Sequence, residues 1–417
     1  MKTSPITIIS RPPLSNSDGS PAPPPNHPVV HRAGWVVASP RHIYRQGYVQ
    51  IERGKINAIG TGSTPNGATL IDHGPGAITP ALVNAHTHLE LGALCEKLSF
   101  DKGFQHWVSD LLHQRAILSK EEMETGILRG KKELMETGCA VVGDISTLGA
   151  SRELLSKSGL YGVWFQEFIG NIIPHALSCG ETSGAIRNAY AGHAPHTSAP
   201  ALLMALKAIT REKGLPFSIH VSESTEEMEF IGSAAGKWAN FLAGRGIDFS
   251  DWGLPAASPV FHLDRLGILD EKTLAVHLLH AERKEFELLA KRNVTACICP
   301  RSNENLHGKL PDLPGMMAAG LNVCLGTDSL ASVSSLNLWE EMRLVATRYP
   351  TVSPADIWAM ATANGAAALG FSELFGTLEP GRMPAMLYVP VTASSPAAVL
   401  ERMVFGEMDT VFFDRNE

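Results

Sequence analysis

The sequence predicts an α/β fold, a (β/α)8 barrel with a small β-sandwich domain built from both chain ends. Strand-like apolar segments alternate eight times with helical ones between residues 79 and 375. Short β-type runs without a helical period precede this region and return after it. Reactive polar side chains stand at the C-terminal ends of several strand-like segments, which favours a barrel over a doubly wound open sheet.

Composition indicates a soluble, core-forming chain. The 417 residues are 44% hydrophobic and 18% charged, with a net charge of −7. This charge argues against a nucleic-acid partner, and the apolar runs are too interrupted for a membrane span. The N-terminus lacks the apolar region and cleavage site of a signal peptide. We therefore expect a cytoplasmic protein with a small-molecule substrate, in which the six scattered cysteines are reduced core residues.

Both chain ends predict β-structure. Residues 11–28 are rich in Pro, Ser and Asn and are assigned no regular structure. The β-type runs AGWVVASP, GYVQIERGKINAIG and ATLIDHG follow, with turn signals between them. After residue 376 the pattern returns in GTLEPGRMPAMLYVPV and VLERMVFGEMDTVFFDRNE. Because the termini of a barrel lie close together, we expect residues 1–78 and 376–417 to form one composite domain.

The predicted barrel covers residues 79–375. Its strands are 79–86, 139–146, 160–168, 189–196, 215–222, 273–279, 293–299 and 321–327. Helical stretches are expected at 120–137, 199–213, 225–243, 282–292 and 336–349. Ser198 and Ser353 are predicted to cap helix N-termini, the latter with Pro354 at the first helical position.

The first barrel strand ends in two histidines. His86 and His88, in AITPALVNAHTHLELG, are separated by one residue on an extended segment, so their side chains point to the same side. Imidazole nitrogens that converge on one point bind first-row transition metals, most often zinc. Two surface histidines at a strand end would give the same pattern, so the interpretation depends on the rest of the chain.

Three further predicted strands have metal-binding or acid–base side chains at or just after their C-terminal ends. These are His220 in strand five with Glu223 after it, His277 in strand six, and Asp328 after strand eight. Three imidazoles and one carboxylate suit a divalent metal with an open position for water, whose pKa the metal would lower. Asp328 can ligate the metal and take the proton of the water. Glu223 is placed to act as a general acid and base, and His277 to hydrogen-bond the nucleophile or a tetrahedral intermediate.

Each of these residues also has an ordinary structural interpretation. Glu223 begins a predicted helix, where an acid favours the dipole. Asp328 could be a helix N-cap, and His277 a hydrogen-bonded core histidine. Their joint occurrence on successive strand ends favours the functional interpretation.

The motifs NAHTHLELG, IHVSES, AVHLLH, CPRSN and GTDS together resemble the amidohydrolase superfamily over essentially the full chain. The resemblance implies a metal site and two catalytic partners; the ligands would be His86, His88, His220 and Asp328, and the partners Glu223 and His277. Strand four reads AGHAPHTS, without the Lys that the two-metal branch needs. The chain therefore resembles the one-metal aminohydrolases, in which HxxE after strand five is typical of deaminases of an N–C–NH2 ring system.

Within that branch the chain resembles the deaminases of S-adenosylhomocysteine, methylthioadenosine and aminodeoxyfutalosine. The GHAPHTS segment resembles their substrate-contacting motif, which implies His193 as a substrate ligand, although their usual Tyr is His196 here. Adenosylhomocysteine deaminases place a ribose-binding Glu about eight residues beyond a Trp. After Trp107 this chain has Gln114 and Arg115 at that place.

An Arg at this position suits a substrate carboxylate, which it can bind through two parallel hydrogen bonds. Arg301 in CPRSN is a second candidate cation near the barrel mouth. Each arginine also has an ordinary interpretation. Arg115 would then be a solvated helix residue, and Arg301 would pair with a neighbouring acid. The benzoate of aminodeoxyfutalosine carries such a carboxylate, and adenosine does not.

The resemblance implies a metal-dependent hydrolytic deaminase that converts an adenine moiety into hypoxanthine. The first expected substrate is 6-amino-6-deoxyfutalosine, a menaquinone precursor, and the second is S-adenosylhomocysteine or methylthioadenosine. The alternatives are a chlorohydrolase or another amino-heterocycle deaminase, and a non-catalytic ligand-binding barrel that would lack at least one metal ligand. The ligand set suits zinc but also iron or manganese. Barrels of this kind often form homodimers.

Overall fold

The computed structural model describes residues 7–10, 27–65, 67–175, 177 and 179–406. Most of the Pro-rich segment 11–28 and residues 407–417 lie outside this part of the chain. The strands are β1 (Thr7–Ser10), β2 (Val29–Ser39), β3 (His42–Glu52), β4 (Lys55–Thr61), β5 (Thr69–Asp72), β6 (Ala77–Pro80), β7 (Leu82–Thr87), β8 (Cys139–Ser146), β9 (Tyr161–Phe168), β10 (Thr182–Ser183), β11 (Ile186–Gly192), β12 (Phe217–Val221), β13 (Thr273–His277), β14 (Thr295–Ile298), β15 (Asn322–Leu325) and β16 (Met386–Val389).

A 3₁₀ helix, Leu89–Leu94, follows β7. The α-helices are α1 (Phe104–Ile117), α2 (Lys120–Glu136), α3 (Ser151–Ser156), α4 (Pro200–Glu212), α5 (Thr225–Ser233), α6 (Lys237–Gly244), α7 (Pro259–Arg265), α8 (Arg283–Lys291), α9 (Pro300–His307), α10 (Leu313–Ala318), α11 (Leu338–Arg348), α12 (Pro354–Met360), α13 (Ala363–Ala368) and α14 (Pro396–Phe405).

Eight parallel strands form the predicted barrel, in the order β7-β8-β9-β11-β12-β13-β14-β15. A parallel bridge between Thr87 and Asp328 joins the ends of the first and last strands and closes the ring. Strands β7, β12 and β13 are buried along their whole length, as expected where helices cover the outside and side chains fill the inside. The closed ring brings all eight C-terminal strand ends to one mouth.

A second sheet takes strands from both chain ends, as predicted. Its order is β1-β16-β6-β2-β3-β4, and β5 pairs with β2. Strand β16 pairs antiparallel with β1 on one side and β6 on the other, so the C-terminal strand joins the N-terminal ones. A separate small core that includes Val36, Val49, Ile78 and Met386 stabilises this sheet.

The C-terminal run VLERMVF forms a helix, and the prediction of β-structure there was wrong. Helix α14 buries an apolar face against α11 and α12; its members are Val399, Leu400, Met403 and Val404. These apolar pairs recur every four residues, which is the spacing of one helix face. Ser395 caps the helix by accepting a hydrogen bond from the Ala398 N–H at 3.2 Å.

Two helix predictions also need correction. The stretch 225–243 contains two helices, because Ala234 adopts a left-handed conformation with φ of 54° and ends α5. Ser198 does not cap a helix, since α4 begins at Pro200 with Ala199 in the N-cap position, and the Ser198 hydroxyl donates to the Phe168 carbonyl at 3.2 Å. The prediction for Ser353 is confirmed, as its hydroxyl accepts from the Asp356 N–H at 3.2 Å.

All six cysteines are buried and free, as expected. Among the residues that the structure describes, no helix combines the length and apolar character needed to cross a membrane.

Candidate active site

Three imidazoles converge at the barrel mouth. His86 lies near the end of β7, His88 directly follows that strand, and His220 lies in β12, so the closed ring brings them together. The Nε2 atom of His86 lies 3.1 Å from Nε2 of His88 and 3.3 Å from Nε2 of His220. Burial, followed by the charge of the neighbouring imidazoles, lowers the pKa of His86 and His88 well below the usual value. Neutral imidazoles present nitrogen lone pairs to a shared point.

Asp328 completes this cluster. Its Oδ1 atom lies 3.6 Å from Nε2 of His88 and 3.9 Å from Nε2 of His86. Its Oδ2 atom accepts hydrogen bonds from the hydroxyls of Ser302 at 2.5 Å and Ser332 at 3.0 Å. The two serines therefore hold the carboxylate so that its other oxygen faces the histidines.

The donor set fits a divalent metal ion. Nε2 atoms of three neutral imidazoles and one carboxylate oxygen are ligands that zinc, iron and manganese accept. The Nδ1–H of His220 donates to the backbone carbonyl of His193 at 2.8 Å. This hydrogen bond leaves Nε2 as the unprotonated nitrogen of His220 and fixes the ring orientation, as is typical of metal-binding histidines.

The backbone at this mouth is strained. His277 and Asp328 have φ angles of 74° and 60°, in the left-handed region that residues other than Gly rarely adopt. Ser222, between His220 and Glu223, has a φ of 54°. Such strain costs free energy and occurs preferentially at functional sites, where it directs side chains toward a ligand.

Glu223 lies beside the histidine cluster and contacts two further imidazoles. Its Oε1 atom is 3.6 Å from Nε2 of His277 and 3.4 Å from Nε2 of His307. Burial by itself raises the pKa of Glu223, but the charge of His277 and the hydrogen bond from His307 outweigh it, so the pKa lies below its usual value. Glu223 is therefore a carboxylate at neutral pH and can accept a proton.

Helix α9 supports three of these side chains. Ser302 donates to Asp328, the amide of Asn303 donates to Nδ1 of His277 at 3.0 Å, and His307 contacts Glu223. The CPRSN motif alone did not predict these supporting roles. Ser302 and Asn303 could have been found from that motif, whereas nothing in the sequence distinguished His307.

A cavity of about 330 Å³ opens in front of this cluster. One wall carries the polar residues of the barrel mouth: His88, His193, His220, Glu223, His277 and Asp328. The other wall comes from α1 and α6 and is mostly apolar, with Phe104, Trp107, Leu111, Trp238 and Phe241. A largely apolar cavity with a few convergent polar groups is the usual form of a small-molecule site.

The structure separates the two arginines that the sequence analysis selected. Arg115 lines the cavity and makes no side-chain hydrogen bond or ion pair with any described residue. Arg301 does not line it. Its guanidinium contacts Ser335 at 2.9 Å and Glu340 at 2.8 Å, so neighbouring groups compensate its charge.

Two more residues define the cavity. His193 lines it, as the sequence analysis expected of a substrate ligand, and its Nδ1 lies 2.7 Å from the Thr197 hydroxyl. Arg245, which the sequence analysis missed, follows α6 at the mouth and lies 4.4 Å from the ring centre of Phe241. No motif marks Arg245, because it lies in a loop.

Comparisons with known proteins agree with this architecture. A 5-methylthioadenosine/S-adenosylhomocysteine deaminase of Nitratidesulfovibrio vulgaris is 30% identical over 82% of this chain and 78% of its own. The structure of Helicobacter pylori aminofutalosine deaminase in complex with methylthio-coformycin covers 91% of this chain and 97% of its own, with a TM-score of 0.79 and 22% identity. A Xanthomonas campestris adenosine deaminase with bound zinc covers 92% and 90%, with a TM-score of 0.73 and 22% identity.

These two structural similarities show the same fold. The model of the amidohydrolase family matches residues 77–408, which include the whole barrel and every residue of the candidate site. The chain therefore belongs to the amidohydrolase family.

Proposed function

We propose that this protein is a metal-dependent deaminase that hydrolyses the amino group from the adenine ring of a nucleoside-like substrate, giving hypoxanthine and ammonia. One observation carries the proposal: an open metal-donor set and a separate, partly buried carboxylate, Glu223, face the same cavity. The Nitratidesulfovibrio vulgaris relative and both structural neighbours are named as deaminases of adenosine-like compounds, which supports this choice of reaction.

The metal would be held by His86, His88, His220 and Asp328. When bound, a divalent metal lowers the pKa of its water and so supplies the nucleophile at neutral pH. We propose zinc, because the donor set suits it and the Xanthomonas campestris structure contains it.

Glu223 and His277 would move and hold protons. As a carboxylate, Glu223 accepts a proton from the attacking water and delivers it to the ring nitrogen next to the reacting carbon. The second hydrogen of the water leaves with the amino group as ammonia, so the protons balance. Asn303 donates to Nδ1 of His277, which places the ring proton on Nε2, where it can stabilise the oxygen added to the ring.

The alternatives receive less support. A non-catalytic barrel would lack at least one metal ligand, and all four lie together here. Hydrolysis of an amide bond has less need for a carboxylate that exchanges protons with a ring nitrogen.

Our first choice of substrate is 6-amino-6-deoxyfutalosine, which would place the enzyme in menaquinone biosynthesis. Arg115 and Arg245 both line the cavity without an ion pair to any described residue, which fits a substrate whose far end carries a carboxylate. A benzoate offers that carboxylate without the ammonium group of S-adenosylhomocysteine, which two guanidinium groups would repel. S-adenosylhomocysteine and methylthioadenosine are the second choice.

A substrate panel tests the proposal. Zinc-loaded protein is mixed separately with 6-amino-6-deoxyfutalosine, S-adenosylhomocysteine, methylthioadenosine and adenosine. The change from adenine to hypoxanthine is followed by ultraviolet absorbance, with ammonia release as a check. Deamination of any of the four supports the reaction, and a preference for the first supports the substrate choice. Metal-loaded protein that releases no ammonia from all four would contradict the proposed function.

A further inference from the structure

Glu167 is a buried carboxylate that the chemistry described above does not use. It lies near the C-terminal end of β9, is 4% exposed and lines the cavity. Its Oε2 atom accepts a hydrogen bond from the Thr147 hydroxyl at 2.8 Å. Its Oε1 atom has no hydrogen-bond partner among the described residues. A buried carboxylate oxygen without a hydrogen-bond donor is unfavourable, unless a bound ligand supplies the donor.

Glu167 lies next to His220, but it is not one of the four proposed metal ligands. Its Oε1 atom lies 3.9 Å from Nδ1 of His220, the ring nitrogen that faces away from the other histidines. That nitrogen already donates to the His193 carbonyl, so it does not satisfy Glu167. One oxygen of Glu167 and one nitrogen each of His193 and His220 lie within 4.8 Å of one another, which gives a compact polar corner.

The other carboxylates that line the cavity are engaged. Glu90 accepts hydrogen bonds from the Ser146 hydroxyl and from the backbone N–H groups of Leu148 and Ala150. Glu223 contacts two imidazoles, and Asp328 is held by two serines. Among the described carboxylates that line the cavity, Glu167 is the one with a fully buried oxygen that has no hydrogen-bond partner.

Arg115 faces the same cavity and interacts electrostatically with Glu167. The two side chains form no ion pair within 4.0 Å among the described contacts. Because the two opposite charges do not pair with each other, Glu167 stays available to a ligand. A neutral group with O–H donors fits beside Glu167, because it can donate to the carboxylate.

We infer that Glu167 accepts hydrogen bonds from the sugar hydroxyls of the nucleoside and thereby selects ribosides. The inference rests on the proposed deaminase function. With the amino group of the ring at the metal-donor set, the sugar lies to the side of it, and Glu167 flanks the set on the far side of His220. The adjacent 2′ and 3′ hydroxyls of a ribose offer two donors, and a carboxylate can accept both.

The test compares kcat/KM for adenosine, 2′-deoxyadenosine and 2′,3′-dideoxyadenosine in the wild type and in Glu167→Ala and Glu167→Gln. The wild type should prefer adenosine over the dideoxy analogue by about 10- to 100-fold, the range for hydrogen bonds to a charged group. Glu167→Ala should lose most of this preference by losing activity on adenosine. Glu167→Gln should retain part of it, because its amide oxygen still accepts. Metal content is measured in each sample.

Other results would overturn the inference. If the wild type deaminates adenosine and its dideoxy analogue equally well, Glu167 does not bind the sugar hydroxyls. That result would leave the proposed deaminase function unaffected. If Glu167→Ala lowers activity on both by the same factor and also loses metal, Glu167 acts as a support for His220. Absence of deamination of all three nucleosides by metal-loaded wild type would count against both the inference and the proposed function.

Discussion

Glu223 and His307 are linked at the edge of the cavity, with Oε1 of Glu223 3.4 Å from Nε2 of His307. His307 is the last residue of α9, and its ring lies against Phe104 with 4.6 Å between the ring centres. Phe104 begins α1, which forms the apolar wall of the cavity. The orientation of the proposed acid–base residue is thus tied to both walls.

Replacing His307 should impair proton transfer while sparing metal binding. His307→Phe removes a donor to a carboxylate, so we expect kcat to fall about tenfold or more, with metal content unchanged. The hydrogen bond favours the ionised form of Glu223, and its loss raises the pKa of that group. The acid limb of the kcat profile should therefore move to higher pH. His307→Gln, which keeps an N–H donor, is the matched control and should restore most of the rate. An unshifted acid limb in His307→Phe would contradict this role.

The two serines beside Asp328 should matter for metal affinity. Asp328→Asn should abolish turnover, because the side chain loses its charge as a metal ligand. Ser302→Ala leaves the ligand in place but frees its orientation, and loss of such a supporting contact typically weakens metal binding about 10- to 100-fold. Competition with a chromogenic chelator measures this affinity. Substantial activity in Asp328→Asn would remove Asp328 from the mechanism.

Arg115 should determine affinity for carboxylate-bearing substrates. Arg115→Ala should raise KM for 6-amino-6-deoxyfutalosine about 10- to 100-fold and leave KM for adenosine nearly unchanged, because only the former has a carboxylate to bind. Arg301→Ala is the comparison, since that guanidinium contacts Glu340 and lies outside the cavity. It should change KM for both substrates by the same factor. Equal effects of Arg115→Ala on both substrates would contradict the carboxylate proposal.

Away from the site, Asp270 should be important for stability. It accepts a hydrogen bond at 2.6 Å from the ammonium group of Lys207, which is 1% exposed. Asp270→Asn leaves this charge buried without its carboxylate, so we expect a loss of about 3 kcal/mol in the free energy of unfolding. Arg211 also pairs with Asp270 but is half exposed, and Arg211→Ala should cost no more than about 1 kcal/mol. Urea denaturation measures both.

The stability difference should depend on pH. Burial lowers the pKa of Lys207 from 10.5 to about 8. Between these values the unfolded chain binds more protons at this lysine than the folded one, so its contribution to stability rises with pH. In Asp270→Asn the pKa of Lys207 falls further, because the lysine loses the carboxylate that favours its charged form. The contribution of Lys207 to stability therefore begins to rise at lower pH. The difference between wild type and variant should therefore narrow as pH rises toward 8. A difference that widens over this range would contradict the assignment.

The sequence was sufficient to predict that the candidate metal ligands lie close together, because the barrel brings the strand ends to one mouth. Once β7, β12 and β15 are recognised as parallel barrel strands, His86, His220 and Asp328 must meet there. The supporting residues were not predictable in this way. Ser332 and His307 reach the site from a loop and from the end of a helix, whose directions depend on packing that no local pattern specifies.

Side-chain direction also decided between the two arginines. Both Arg115 and Arg301 are helical residues near the barrel mouth, and the sequence predicted both as candidate substrate ligands, Arg115 first and Arg301 second. Arg301 turns toward Glu340 and Ser335, whereas α1 presents Arg115 to the cavity. In α14 the apolar residues have the spacing of one helix face, and packing against α11 and α12 buries that face.

Metal binding and acid–base chemistry are assigned to different residues of one cavity. Ammonia release from adenine nucleosides should therefore be measured for wild type and Glu223→Gln, with the metal content of both samples determined by atomic emission. We predict equal metal occupancy and a fall in kcat of about 10²- to 10⁴-fold in the variant, the usual contribution of a general acid–base residue. A fully loaded Glu223→Gln that releases ammonia at the wild-type rate would contradict the account.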